Sequence, residues 1–303
     1  MLLVIARKFN DIYYSMSLPE WNLARERRLI IISNGIPQDA FPHQNKFDDV
    51  QYIQYNGESI KNILHVIAYL QKIRIPKSKI LVLSNPVLVA NQYIIKHSNP
   101  SSVVFIEDGS MNYTNFSPSK NIAKKLLQLS LGIMESRVFK RIGFTYLFYP
   151  EKATFYFGLR KRLTLRKEIL PVNDKLKFIE GKKVLVGQPL YTTGYLSLER
   201  YNEIVNQTIR QLGIDLYVPH AFSSDKEDIQ CEKLLLNEFN VTLEAIAASH
   251  SFVIYSYGST VLYSCKTINP EVCSVLLTVK DKGMEKLDTR FIRTFCNKVV
   301  EIK

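Results

Sequence analysis

Short runs rich in β-branched residues alternate with longer helical patterns from end to end of this chain. Repeated strand–helix alternation specifies a parallel sheet flanked by helices, because a helix must carry the chain back before the next parallel strand begins. In the first half, residues 2–6, 29–33, 80–83 and 103–106 read as strands. Apolar residues at Ile60, Ile63, Leu64, Ile67 and Leu70 repeat with helical spacing between the second and third of these, and a second helix is expected over 87–97. A basic, irregular stretch follows at about 151–180.

The second half repeats the theme. A strand within 181–189 ends at Gly187-Gln188-Pro189, and a helix over 196–212 closes at Gly213. A strand at 215–218 precedes helices near 229–237 and 243–250, then come a strand at 252–256, a helix opening at Gly258, and strands at 272–277 and 299–302. The pattern predicts an α/β chain with two Rossmann-like domains facing a cleft, divided into residues 1–160 and 161–303. Its 303 residues suffice for two such halves and little more.

Composition narrows the class. With 46% hydrophobic and 22% charged residues the chain can bury a core and is not a disordered polymer. No run approaches the ~18 apolar residues of a membrane-crossing helix. The apolar start at 2–6 has only Met1 before it and no small-residue cleavage site after it, so it reads as a strand and not as a leader. Cys231, Cys265, Cys273 and Cys296 form no CxxC pair and read as reduced thiols of a cytoplasmic protein.

In open α/β sheets ligands sit beyond the carboxyl ends of strands, so polar clusters just after a strand carry most weight. The first is Glu107-Asp108-Gly109, where the glycine permits a sharp turn and two adjacent carboxylates raise one another's pKa, as a general base requires. The second is Pro219-His220, an imidazole placed to donate to a departing phosphate. The third runs from Ser256 through Gly258 to Ser259 and Thr260, a strand, a glycine and two hydroxyls at a helix start. Such a start either cradles an anion with its amides or is an ordinary N-cap. It lacks the Walker lysine and the spaced glycines of a dinucleotide fingerprint. Gly187 and Gln188 are expected to wall the same nucleotide pocket. Asp48-Asp49 lie in a polar loop before a strand-like run and are not read as a metal site; no DxD motif follows a strand.

Taken in order, Glu107-Asp108-Gly109, His220 and Ser259-Thr260 resemble the bacterial sialyltransferases, the lipooligosaccharide sialyltransferases of glycosyltransferase family 52 first and the related polysialyltransferases behind them. The acidic signature (D/E)(D/E)G is matched outright. The family's His-Pro is not: Ala221 follows His220, and the proline, Pro219, precedes it. The resemblance implies a GT-B fold, an acceptor-side first domain, a CMP-binding second domain and inverting transfer from CMP-sialic acid, with no metal and no cofactor beyond the donor. Glu107 or Asp108 would deprotonate the acceptor hydroxyl, with preference for Asp108. His220 would meet the leaving CMP phosphate, and Ser259 and Thr260 would hold it. The acceptor would be a galactose-type terminus of a lipooligosaccharide, O-antigen or capsule.

The formal charge of 40 − 28 = +12 concentrates at 120–141 and 159–167, where cations interleave with leucines. That pattern suits an anionic lipid surface, and no nucleic-acid-binding motif accompanies it. The expected place is therefore the cytoplasm, peripheral to the inner face of the plasma membrane, for a monomer or a homodimer. A transferase of another nucleotide sugar, such as CMP-linked Kdo, and a non-catalytic basic protein binding membrane or nucleic acid remain as rival readings.

Overall fold

The opening apolar run forms strand β1 (Leu2–Ala6), every residue of which is buried. A strand apolar on both faces belongs in the middle of a helix-covered parallel sheet. In the computed structural model, which describes residues 1–33, 36–38, 41–55, 59–114, 122–171, 173–220 and 226–302, β1 lies there. The chain divides into two units, Met1–Ile169 and Leu170–Lys303.

The first unit contains β1, β2 (Arg27–Ile32), β3 (Asp49–Ile53), β4 (Ile80–Leu83), β5 (Ser102–Ile106), β6 (Ile142–Leu147) and β7 (Leu159–Arg162). These form a parallel sheet of order β3-β2-β1-β4-β5-β6-β7. Helices α1 (Phe9–Met16) and α2 (Pro19–Leu23) follow β1; α3 (Ile60–Ile73), α4 (Val89–Ser98), α5 (Ile122–Ser130) and α6 (Glu135–Phe139) connect later strands. Helix α3 starts where Ser59 Oγ accepts from the Asn62 amide, and it buries Ile63, Val66, Ile67 and Leu70 against the sheet. The division expected at 160/161 would fall inside β7, which is paired with β6 from Phe144↔Leu159 to Leu147↔Arg162.

The second unit holds β8 (Lys183–Val186), α7 (Leu198–Leu212), β9 (Leu216–Val218), β10 (Glu232–Lys233), α8 (Leu243–Ala247), β11 (Val253–Ser256), α9 (Val261–Ile268), β12 (Cys273–Val279), α10 (Arg290–Arg293) and β13 (Lys298–Ile302). Its sheet order is β10-β9-β8-β11-β12-β13, all parallel. Helix α7 is capped by Ser197, whose Oγ accepts from the Arg200 amide, and ends on Gly213 at φ 60°. The helix expected near 229–237 is not formed. There the edge of the sheet takes the backbone as β10, the Leu234 amide donates to the Tyr217 carbonyl, and a 3₁₀ turn follows at Leu236–Phe239.

Both sheets reverse direction after their third strand, so each has a switch point at the carboxyl end of its first strand: between β1 and β4, and between β8 and β11. Loops leaving two such strands diverge and open a crevice. All four cysteines are free thiols, Cys265 buried and the others half-buried. Among the described residues no helix is long and apolar enough to cross a membrane.

Candidate functional site

In the first unit, β5 delivers the acidic pair to the strand ends. Gly109 adopts φ 88° and ψ −152°, a conformation reserved in practice for glycine, and this turns the chain immediately after the two carboxylates. The pair then separates in role. Glu107 is 2% exposed and accepts from the Gly109 amide at 3.0 Å, from the Phe148 amide at 3.0 Å and from the Tyr113 hydroxyl. Burial, with the Glu107 carboxylate second, pushes the Tyr113 hydroxyl far up, so it stays a donor. Glu107 thereby ties the turn to the end of β6.

Asp108 keeps a 14% exposed side chain at the strand ends. Its amide donates to Asn112 Oδ1 at 2.8 Å, and fully buried Asn112 is itself anchored to the Phe155 carbonyl. The Asp108 Oδ1 is 3.2 Å from the Lys8 ammonium, which comes from the loop after β1. Asp11, one turn further on, is fully buried at the start of α1; its Oδ2 accepts from the Arg7 amide at 2.8 Å and the Lys8 amide at 3.3 Å. Burial raises the Asp11 pKa, and Lys8 opposes that rise. Lys8 and Asp11 stand at the switch point, although they belong to no sequence motif. The available signal was their position just after the first strand.

In the second unit the expected residues leave three adjacent strands. Gly187 and Gln188 follow β8, Pro219 and His220 follow β9, and 256–260 end β11. The Gly187 amide donates to the Val218 carbonyl at 2.9 Å. A Cβ at Gly187 would overlap the Tyr217 hydroxyl, so the missing side chain makes room for a buried tyrosine. Tyr217 and Tyr201 hydroxyls meet at 2.9 Å; Tyr201 accepts from the Gln188 amide at 3.2 Å, and Tyr217 donates to Glu227 Oε2 at 3.1 Å. Burial pushes the Tyr201 hydroxyl up to about 12 and that of Tyr217 further still. This chain of groups beneath the Gly187-Gln188 turn was not marked in the sequence, because α7, β9 and the loop to β10 contribute one member each.

Ser256 is fully buried, its Oγ donating to the Val186 carbonyl at 3.2 Å and accepting from the Ser259 amide at 3.3 Å. It therefore shapes the turn and presents no hydroxyl at the surface. Gly258 has φ 144°, and a Cβ there would sit 3.1 Å from Thr289 Cγ2 and 3.8 Å from Gln188 Nε2. Bare backbone and the Gln188 amide side chain thus share the switch point. Thr260 makes no side-chain cap bond to α9, while Ser259 Oγ accepts from the Val261 amide at a long 3.4 Å. At the start of α9 the Ser259 and Val261 amides are thus engaged within the turn, and the Thr260 hydroxyl takes no capping role. His220 and Pro219 are half-buried, and burial pulls the His220 pKa down to about 4, so its ring is neutral at pH 7. Ala221 lies outside the described residues. Among those described, no group of three or more His, Cys, Asp and Glu is arranged to hold a metal ion.

No protein-family model matches the sequence, and no curated relative does. Solved structures do match in fold. An α/β-galactoside α-2,3-sialyltransferase from Photobacterium phosphoreum aligns with a TM-score of 0.55 at 11% identity, over 99% of this chain and 98% of that one. The calicheamicin glycosyltransferase CalG4 aligns with a TM-score of 0.50 at 11% identity, over 99% of this chain and 85% of its own. At such identity the likeness is one of fold: the chain is α/β, with two Rossmann-like domains of the GT-B type.

Proposed function

We propose that this chain is a glycosyltransferase, and within that class an inverting sialyltransferase that moves sialic acid from CMP-sialic acid to a galactose-type hydroxyl of a bacterial surface glycan. The observation that carries the proposal is the separation of the acidic pair. Glu107 is locked into the turn, and Asp108 is left at the strand ends beside Lys8, which leaves the switch-point strand β1. A carboxylate in that position suits removal of a proton from an acceptor hydroxyl. The order of the three clusters along the chain and the whole-chain likeness to a sialyltransferase fold support the finer reading.

In the proposed step the acceptor oxygen forms a bond to the anomeric carbon as the bond from that carbon to the CMP phosphate oxygen breaks. The acceptor proton passes to Asp108, and the electron pair of the broken bond leaves on CMP. His220, neutral before the donor binds, donates an N–H to the phosphate; negative charge arriving beside it favours its protonated form. The Ser259 and Thr260 hydroxyls supply further donors. A single phosphate needs less counter-charge than a diphosphate, which suits a site lined by hydrogen-bond donors. The reading includes a cytoplasmic setting at the inner face of the plasma membrane.

The experiment is a donor panel: CMP-sialic acid, CMP-Kdo and a UDP-hexose, each offered with lactose. Transfer from CMP-sialic acid in preference to the others supports the reading. Preference for CMP-Kdo or a UDP-sugar overturns the sialyl assignment while keeping glycosyl transfer.

A further inference from the structure

Helix α5 exposes a row of large apolar side chains beside the exposed Lys125. Ile122, Leu126 and Leu129, at positions i, i+4 and i+7, are 74%, 61% and 67% exposed, and Met134 just beyond is 48% exposed. The helix is nonetheless held in place: Leu127 and Leu131 pack into the core of the first unit, and buried Gln128 donates to Gln92 Oε1 at 2.6 Å. The outward row is therefore the second face of a docked helix.

Charge identifies what such a face fits. Residues 122–141 carry five cations, Lys124, Lys125, Arg137, Lys140 and Arg141, and one carboxylate, Glu135. That carboxylate turns inward, accepting from Gln128 at 3.1 Å and from Gln92 at 3.4 Å. Of the five, Arg141 donates to Asn99 Oδ1 at 3.1 Å, and the cations of β7 are engaged as well. Arg160 donates to the Pro150 carbonyl and lies over Tyr156, Arg162 pairs with Glu151 at 3.1 Å, and Lys161 sits 3.7 Å over the Phe144 ring. The β7 cations are thus engaged within their own unit, and α5–α6 is the better-formed amphipathic surface.

We infer that the α5–α6 face is an interfacial docking surface for an anionic phospholipid bilayer. Ile122, Leu126 and Leu129 enter the headgroup region, and Lys125, Arg137 and Lys140 meet the lipid phosphates. One short helix gives reversible attachment that added salt weakens. The inference does not depend on the chemistry proposed for the strand ends.

The test is co-sedimentation of the full chain with phosphatidylcholine vesicles and with vesicles containing phosphatidylglycerol. Binding is expected to the anionic vesicles only, to fall with salt, and to be lost in Leu126→Glu/Leu129→Glu, whose exposed positions leave the melting temperature unchanged. Lys125→Glu keeps the apolar row and is expected to weaken binding about fivefold or more, on the scale of one surface cation. Arg160→Ala/Arg162→Ala is expected to stay within about twofold of wild type, those cations being engaged elsewhere. No binding of wild type to anionic vesicles overturns the inference, as does equal binding by the Leu126/Leu129 variant. A wild-type dimer dissociated by the same two substitutions also overturns it, by assigning the row to a second copy of the chain.

Discussion

The ammonium of Lys8 lies 3.2 Å from Asp108 Oδ1, joining the loop after the first strand of the first unit to the loop after its fifth. The contact spans the switch point, and it gives the less buried carboxylate of the acidic pair a fixed orientation that its neighbour Glu107 does not share. Replacing Lys8 by Met is expected to lower kcat by roughly tenfold through a looser Asp108, with little change in melting temperature, since an exposed ion pair contributes only about 0–1 kcal/mol. Steady-state kinetics beside a thermal melt check both parts.

The two carboxylates of the acidic pair should fail in opposite ways. Asp108→Asn is expected to reduce turnover by about 10²–10⁴ while leaving the fold intact. Glu107→Gln loses an acceptor for buried amide and hydroxyl donors and is expected to cost about 2–4 kcal/mol of stability. Urea unfolding and turnover measured on both variants distinguish the base from the brace.

Much of this was legible in the sequence. The buried strands announced themselves because a parallel sheet demands continuous apolar runs, as at 2–6 and 80–83, and α3 and α7 because an amphipathic helix must repeat its apolar face. Helix α1 gave no such signal: Phe9, Ile12, Tyr13, Tyr14 and Met16 are buried around nearly its whole circumference, and so is Asp11, so no polar face marks a period. Strand β7, with the sequence Leu-Arg-Lys-Arg, is exposed at a sheet edge and reads as a charged loop. The strand-end motifs were visible as local strings. Their partners were not, because Lys8, Tyr113, Tyr217 and Glu227 acquire their places only through strand order.

The hydroxyl chain beneath the Gly187-Gln188 turn should act on donor binding. Tyr217→Phe removes the donor to buried Glu227 and the partner of Tyr201. It is expected to cost about 1–3 kcal/mol and to raise the donor KM more than it lowers kcat.

His220 gives a pH signature independent of activity. Its folded pKa of about 4 lies below the ordinary 6.5, so between these values the unfolded chain binds the extra proton. Its contribution is therefore complete above pH 6.5, declines as pH falls toward 4, and changes no further below that. The loss amounts to at most about 3 kcal/mol. Urea unfolding of wild type and His220→Gln at pH 7 and pH 4.5 is expected to show the variant with the shallower dependence.

Sialyl transfer with Asp108 as base is tested by CMP release from CMP-sialic acid with lactose in EDTA, by wild type and Asp108→Asn side by side. Wild type is expected to release CMP in a lactose-dependent way and to yield a sialylated product, with turnover falling by about 10² or more in the variant. No transfer by wild type, a strict requirement for added metal, or equal turnover by Asp108→Asn would contradict this mechanism.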